Sequence, residues 1–500
     1  MDLLTMVLLL LVCLLFSNII SHYIPSIPTA LIQIALGIIL TFIFSDISFE
    51  IESEWFLLLF IAPLLFNDGR HFPREKLWNM RVPILGNAIV LVLITTVGGG
   101  YFIHWMIPDI PIAAAFALAA ILSPTDPVAV NGIAKRIHLP EKVLNLVRGE
   151  SLINDASGLV AFNYAVVAVV TGYFSIKEAL FDFTYVFIAG AVLGLVLMLL
   201  ITWTTFILRK KGITDVTFHS LLQILTPFII YIVTEELLHA SGVIAVVVAG
   251  VAHSLTSERT EKMVAEEKVL TENIWSIVLF VLNGVVFLLL GLNIPSSMQA
   301  TVANPNIGNW LAIIYVVAIG VVILFIRFVW TYIFSYYQYR FLKTTDTDRP
   351  SFKTSLLISL TGVRGAVTMA GVLSIPFLIK SGGLFPERSL ILFIAAGVIL
   401  FTLIVATVFL PLLSKDNAST AGVHNKNNLT VAKRKILLAA IKKMRQEINE
   451  ENESVVYELM SEYRMMFEIM HPDPSLEKEE YRKKITEVRL LGLKAERKYI

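Results

Sequence analysis

The pattern of apolar and polar positions divides most of the chain into long apolar runs separated by short polar loops. A helix needs ~20 apolar residues to cross the ~30 Å hydrocarbon core of a bilayer. The sequence therefore predicts about thirteen membrane helices, at 3–21, 27–45, 54–68, 83–106, 111–134, 143–172, 183–208, 218–238, 242–256, 272–292, 309–336, 354–379 and 388–414. The count is open by one, because two runs are short and only His239-Ala240-Ser241 separates the eighth from the ninth.

Lysine and arginine are distributed unevenly between the predicted loops. Except for the first, the loops after odd-numbered spans are basic, whereas those after even-numbered spans carry just Lys177, Lys380 and Arg388. Cytoplasmic loops are enriched in these residues, so we expect the N-terminus outside and the segment after Ser414 in the cytoplasm. The run after Met1 lacks a basic n-region and is interpreted as a membrane helix, not a cleaved signal. This pattern fits a plasma membrane, most simply a bacterial inner membrane.

Composition supports a multi-pass protein of the lipid bilayer. Of the 500 residues, 56% are hydrophobic and 16% charged, against about 25% charged in soluble proteins. The mean hydropathy is +0.75. The net charge of +1 gives no argument for a nucleic-acid partner, and none is expected. The single cysteine, Cys13, excludes a disulfide framework and a Cys-based metal cluster. We expect no cofactor and no enzymatic reaction.

The chain changes character after residue 414. Residues 415–422 form a polar linker, and beyond it charges of both signs accompany apolar residues at helical spacing. We therefore predict a transmembrane domain over 1–414 and a cytoplasmic helical tail over 415–500, broken near His471-Pro472-Asp473-Pro474. A regulatory or dimer-contact role suits this tail better than a catalytic one.

The sixth predicted span contains the polar stretch GESLINDASG at 149–158. A charged side chain at mid-membrane costs ~2.5–3.5 kcal/mol, so such residues usually mark an ion or proton path. Helical spacing places Glu150, Ser151, Asn154 and Asp155 on one face. Their oxygen atoms suit hard cations. The alternative, a polar seam that joins helices by hydrogen bonds, explains the hydroxyl and amide better than the two acids.

The fifth span contains Ser123-Pro124-Thr125-Asp126-Pro127 at its middle. Two prolines three residues apart predict an interrupted helix, which would free carbonyl oxygens that can hold a cation. Asp126 would lie at the positive N-terminal end of the second half-helix. A hinge with a capping aspartate remains open, and Thr125 could still touch the ion in that case.

The twelfth span contains Thr361-Gly362-Val363-Arg364-Gly365, in which glycines flank a lone arginine. Glycine tolerates an unwound backbone, and a buried arginine needs a carboxylate partner. We hypothesise that Arg364 pairs with Glu150. The fifth and twelfth spans hold matching positions in spans 1–6 and 8–13, which is typical of inverted-repeat transporters with the substrate site between the repeats.

Three weaker signals have less specific interpretations. Glu236 is equally compatible with a structural and a functional role near the outer end of a span. Arg327 lies in an apolar run and needs a partner, for which a structural role is favoured. Asn67-Asp68 ends the third span, where a solvated helix end is favoured over a position lining an inner funnel.

Several of these motifs together resemble the sodium–proton exchanger and NhaP-type cation:proton antiporter family, in its Asn-Asp subgroup. They are Phe66-Asn67, Asp126-Pro127, Gly149 to Asp155, Glu236 to Gly242, and Gly362 to Gly365. Their order and spacing match along roughly residues 1–414, and the combination is far more specific than any one motif. The tail carries none of them.

The resemblance implies a thirteen-helix fold with inverted repeats and two interrupted, crossing helices. It implies a core from roughly 83–172 and 309–414, a dimerisation part from the remaining helices, and a homodimer that works by elevator-like alternating access. By the same resemblance Asp155 binds the cation or the proton. Thr125, Ser151 and Glu150 would help to coordinate the ion. Asn154 and Asp126 would shape the site, and Arg364 would compensate the charge of Glu150.

The chemistry of a lone buried acid agrees with exchange, because a carboxylate that binds either a cation or a proton exchanges them by competition. We expect Na⁺ or Li⁺ to be exchanged for H⁺ in support of pH homeostasis, with K⁺/H⁺ exchange as the alternative. Relatives with two adjacent aspartates move two protons per ion, so Asn154 implies one-for-one, electroneutral exchange. A cation channel and an intramembrane aspartyl protease that uses Asp126 and Asp155 are the rival classes.

Overall fold

A computed structural model gives the architecture of the chain. It describes residues 3–414, apart from gaps at 25–26, 44–52, 73–77, 135–136, 138, 174, 214, 258–264, 303–308, 343–350 and 381, and scattered parts of 437–463. In this described part the regular elements are helices, and one isolated β-bridge joins Leu378 to Leu384. An all-helical membrane fold is expected, because a helix satisfies its own backbone hydrogen bonds in lipid.

The helices are labelled α1 to α13 in chain order, and a label covers consecutive segments of one predicted span. The unbroken ones are α1 Leu3–Tyr23, α2 Thr29–Ile43, α6 Glu141–Thr171, α7 Ile176–Lys210, α9 Gly242–Ser257, α10 Ala265–Val302 and α13 Arg388–Ser414. The composite ones are α3 (Ser53–Phe56, the π-helical turn Leu57–Ile61, Ala62–His71), α4 (Arg81–Leu85, the π-helical turn Gly86–Leu91, Val92–Met106), α5 (Ile112–Ile121, Pro127–Ala134), α8 (Val216–Ile232, the π-helical turn Val233–Leu237), α11 (Asn309–Tyr337, the π-helical turn Gln338–Leu342) and α12 (Phe352–Leu360, Ala366–Leu373).

The lengths of these helices identify a multi-pass membrane protein. Among the described residues, eight helical stretches are long and apolar enough to cross a membrane. Three shorter apolar helices lie at Thr29–Ile43, Ile112–Ile121 and Gly242–Leu255. Because these are too short to count on their own, the predicted total of thirteen crossings stays a prediction.

Both predicted helix interruptions are confirmed. Helix α5 stops at Ile121 and resumes at Pro127, because Pro127 cannot donate a backbone hydrogen bond but fits the first position of a new helix. Helix α12 stops at Leu360 and resumes at Ala366, on either side of the glycine-flanked arginine. The described residues therefore include two irregular segments inside predicted membrane spans, where backbone groups need protein or water partners.

The helices around these interruptions pack on one another. Helices α4 and α6 both contact the first half of α5, and α11 contacts α4, α13 and the first half of α12. Helix α9, by contrast, packs mainly with α3, α7 and α8. The division into a core and a dimerisation part stays a prediction. By contacts, one compact unit contains Met1–Lys262 and Leu270–Ser419, and the other contains Met263–Val269 and Thr420–Ile500. In the tail, residues 437–446 are helical, and the predicted break at 471–474 lies outside the described residues.

Candidate ion-binding site at the crossing of two broken helices

The breaks in α5 and α12 contact each other directly. The backbone amide of Asp126 donates to the carbonyl oxygen of Val363 at 2.8 Å. The Thr368 hydroxyl donates to the carbonyl oxygen of Ile121 at 2.9 Å. Backbone groups at the break in α5 thus find partners on α12, which explains how the irregular backbone is tolerated away from water.

Asp126 lies where the second halves of both broken helices begin. Its Oδ1 atom accepts hydrogen bonds from the amides of Val128, at 2.8 Å, and Ala129, at 3.2 Å, so it caps the second half of α5. A Cβ at position 365 would overlap the Asp126 carboxylate, so glycine is needed there for α12 to approach. Helix N-termini carry partial positive charge, which stabilises a carboxylate in this place.

Arg364 contacts the C-terminal ends of the first halves of α5 and α12. It is 2% exposed, and its Nε donates to the carbonyl oxygen of Leu122 at 2.8 Å. Its Nη1 donates to the carbonyl oxygen of Gly362. These carbonyls follow the first halves of α5 and α12, and helix C-termini carry partial negative charge. The guanidinium therefore stabilises the two helix ends.

The predicted ion pair between Arg364 and Glu150 is wrong. Glu150, with a fully buried side chain, pairs instead with Nη2 of Arg327 on α11. Arg327 also donates from Nε to the carbonyl oxygen of Ile358 at 3.0 Å. Both arginines occupy apolar spans, so the sequence offered two candidates. Which arginine faces Glu150 depends on the rotation of α11 about its axis, and the sequence does not reveal that rotation.

The Glu150 carboxylate also accepts two further hydrogen bonds. Its Oε1 accepts a hydrogen bond from the Thr125 hydroxyl at 3.2 Å, in addition to Arg327. Its Oε2 accepts from Nδ2 of Asn87, on α4, at 2.6 Å. A buried carboxylate is tolerated when it is paired and hydrogen-bonded in this way.

Thr125 is the point on which the polar face of α6 converges. The Ser151 hydroxyl donates to the Thr125 carbonyl oxygen at 2.5 Å, and Nδ2 of Asn154 donates to the Thr125 hydroxyl oxygen at 2.9 Å. Oδ1 of Asn154 is buried, and the described part of the chain gives it no hydrogen-bond partner. An unsatisfied buried acceptor is costly, so it marks a place for a donor or a cation.

Asp155 differs from Glu150 in its environment. It is 4% exposed, and no side chain or backbone group among the described residues donates a hydrogen bond or an ion pair to its carboxylate. It faces a cavity of about 40 Å³ whose polar lining residues are Asp155, Asp126, Asp68, Thr125, Asn283 and Thr368. An unpaired charge is too costly to bury, so this carboxylate needs either a proton or a cation.

Of the predicted ligands, Asp155 and Thr125 line the cavity, whereas Glu150, Ser151 and Asn154 contact Thr125 without lining it. Glu236 is exposed in the π-helical turn of α8 and does not line the cavity. Other polar residues were missed. Asp68, for which a solvated helix end was favoured, lines the cavity, as does Asn283 of α10. Asn87 was not singled out, although an asparagine inside an apolar span is itself a signal.

Comparison with known proteins gives the family. The family model described as "Sodium/hydrogen exchanger, transmembrane" matches residues 7–415. The sodium, potassium, lithium and rubidium/H(+) antiporter of Bacillus pumilus (strain SAFR-032) is 44% identical over 500 residues, which cover 99% of this chain and 74% of the relative. The protein of the same name from Bacillus subtilis (strain 168) is 43% identical over 496 residues, with the same coverage. The chain belongs to the sodium/hydrogen exchanger family.

A solved structure agrees with the fold. The sodium proton antiporter MjNhaP1 from Methanocaldococcus jannaschii, determined at pH 8, aligns with a TM-score of 0.62 and 18% sequence identity. The alignment covers 82% of this chain and 98% of that one. This likeness agrees with the fold, while the family model and the Bacillus relatives confirm the resemblance stated from the sequence motifs. The chain therefore belongs to a family of multi-pass membrane transporters.

Proposed function

We propose that the chain exchanges a monovalent cation for a proton across the membrane, with both ligands competing for Asp155. The observation that carries the proposal is the buried Asp155 carboxylate, which faces a small cavity and receives no hydrogen bond from the described residues. The names of the Bacillus relatives support a substrate range of Na⁺, K⁺, Li⁺ and Rb⁺. K⁺/H⁺ exchange at the same site therefore stands beside Na⁺/H⁺ exchange.

The proposed cation ligands are oxygen atoms around the crossing. Asp155 supplies the charge, and Thr125, Ser151 and Asn154 supply neutral oxygen atoms, which suits a hard monovalent ion. The orphaned Oδ1 of Asn154 supports this donor set. Glu150 does not contact the cation directly, because its carboxylate already pairs with Arg327 and accepts from Asn87. It acts on the site through its hydrogen bond with Thr125.

Transport follows from competition combined with alternating access. When a proton occupies Asp155 the cation is released, and when the cation occupies it the proton is released, so the site crosses the membrane carrying one or the other. We propose one-for-one, electroneutral exchange, because Asn154 stands beside Asp155 where a second acid would add a second proton. The same proposal includes a homodimer, inverted repeats, an N-terminus outside, a cytoplasmic tail, a bacterial plasma membrane and a role in pH homeostasis.

Reconstituted protein tests this proposal. Proteoliposomes with a trapped pH dye receive Na⁺, Li⁺ or K⁺ separately, and a potential-sensitive dye reports charge movement. Cation-driven proton movement without a membrane potential is the expected result. Cation flux without proton movement would establish the channel alternative, and a potential that grows during exchange would overturn electroneutrality.

A further inference from the structure

A chain of hydrogen-bonded side chains leads from the partly buried Trp330 on α11 through Asn87 on α4 to Glu150. Trp330 lies three residues after Arg327 on α11, so both side chains lie on the same side of that helix. Arg327 contacts Oε1 of Glu150 directly. Trp330 contacts the other carboxylate oxygen through Asn87, because its Nε1 donates to Asn87 Oδ1 at 2.9 Å and Asn87 Nδ2 donates to Glu150 Oε2 at 2.6 Å.

The indole group determines which way the Asn87 amide points. An indole N–H can only donate a hydrogen bond, whereas an asparagine amide has one accepting and one donating end. Trp330 must therefore face the amide oxygen, which leaves the amide nitrogen for Glu150. Without the indole N–H, the amide oxygen loses its donor and only the bond to Glu150 holds the Asn87 amide, so the position of its N–H against the carboxylate is less firmly fixed.

The backbone around Asn87 is shaped for this contact. Asn87 is 3% exposed and lies in the π-helical turn Gly86–Leu91 of α4, and such turns inside α-helices are frequent at functional sites. A Cβ at Gly86 would lie 3.2 Å from the Phe334 ring and 3.6 Å from the Trp330 ring. The glycine thus lets α11 approach closely enough for Trp330 to reach Asn87.

The orientation of the Glu150 carboxylate in turn determines the hydrogen position on Thr125. A hydroxyl group has one hydrogen to donate and two lone pairs. In Thr125 the hydrogen points to Glu150 Oε1, and one lone pair accepts from Asn154. One lone pair remains, on a residue that lines the cavity. If the carboxylate rotated away, the hydroxyl could turn its hydrogen toward the cavity and repel a cation.

We propose that Asn87 and Trp330 are positioning residues that hold the Glu150 carboxylate in place and so direct a Thr125 lone pair at the transported cation. The inference rests on the proposed function and deepens it. Loss of either residue weakens cation binding more than it slows turnover, because the Asp155 carboxylate itself is unchanged. It also alters the preference among cations, since a displaced neutral ligand changes the size of the site.

The test compares Asn87→Leu and Trp330→Phe with wild type in proteoliposomes. The matched control is Thr95→Val, at a buried polar residue of the same helix outside this network. The apparent KM for Na⁺ should rise about tenfold in Asn87→Leu, because the Glu150 carboxylate loses the donor that orients it toward Thr125. A smaller rise is expected for Trp330→Phe, no rise for Thr95→Val, and little change in the maximal rate for any of them.

A second measurement separates positioning from general destabilisation. If Asn87 acts through Thr125, Asn87→Leu should add no further rise in KM to a Thr125→Val protein. An additive rise in KM would overturn the proposal. A wild-type KM in Trp330→Phe would also overturn it, and this variant provides the test if Asn87→Leu does not fold. The outcomes distinguish two failures: a wild type without exchange refutes the proposed function, whereas an active wild type with unaffected variants refutes this inference alone.

Discussion

Glu150 on α6 is paired with Arg327 on α11, and Arg364 instead donates to backbone carbonyl oxygens at the ends of two half-helices. The two buried arginines therefore stabilise different features. Arg327 neutralises a carboxylate beside the candidate site, while Arg364 stabilises the crossing of α5 and α12. Replacing either arginine should be harmful, but for reasons that experiments can tell apart.

The stability of charge-pair variants tests this assignment. Removing one partner of a buried ion pair costs about 3–5 kcal/mol, because the other charge is left unpaired. We expect Arg327→Met to lower the Tm of the purified protein strongly, and Glu150→Gln to restore much of that loss when the two are combined. The combination of Arg364→Met with Glu150→Gln should show no such recovery. Recovery with Arg364 in place of Arg327 would support the pairing that was first expected from the sequence.

The Thr125 hydroxyl should matter for the cation rather than for folding alone. Thr125→Val keeps the shape of the side chain but removes the oxygen that Asn154 and Glu150 contact. Loss of one buried polar contact of about 1–1.5 kcal/mol corresponds to a roughly tenfold rise in the apparent KM for Na⁺. Thr125→Ser, which keeps the hydroxyl, should stay near wild type. Equal KM values for the valine and serine variants would exclude the hydroxyl as a ligand.

Competition at Asp155 predicts how cation affinity depends on pH. A proton on the carboxylate blocks the cation, so the apparent KM for Na⁺ should rise as the pH falls. In the range where the carboxylate is mostly protonated, the rise should approach tenfold for each pH unit, as for any single competing proton. Steady-state exchange rates at several Na⁺ concentrations and pH values measure this. An apparent KM that does not change with pH would be incompatible with shared binding.

Asp126 should contribute mainly to stability, as a helix cap. Replacing an N-cap aspartate by alanine typically costs about 0.5–2 kcal/mol, whereas asparagine caps almost equally well. We therefore expect Asp126→Ala to lower the Tm clearly and Asp126→Asn to lower it much less. Thermal unfolding in detergent provides the comparison. An asparagine variant as unstable as the alanine variant would mean that the negative charge, and not the cap, is what the crossing requires.

The sequence predicted the features that depend on local backbone chemistry. Pro124 and Pro127 marked the break in α5, and the glycines around Arg364 marked the break in α12. Helical spacing also placed Glu150, Ser151 and Asn154 on one face, and the structure brings all three against Thr125. These predictions needed only steric rules and the period of a helix.

Features that depend on how helices rotate against one another were less accessible. The choice of Arg327 over Arg364 as partner of Glu150 depends on the orientation of α11. The position of Asp68 on the cavity wall depends on how α3 packs. The π-helical turn around Asn87 shifts the following residues around the helix axis, and no residue type in Gly86–Leu91 predicts such a turn.

Competition at Asp155 is tested by measuring cation-driven proton movement in Asp155→Asn, wild type and Asp109→Asn. Asp109 is an exposed carboxylate and serves as the matched control. All three proteins are reconstituted at equal density after their Tm values have been compared. Na⁺ should move protons through wild type and Asp109→Asn but not through a folded Asp155→Asn. Proton movement at the wild-type rate in Asp155→Asn would contradict the central claim that cation and proton compete for this carboxylate.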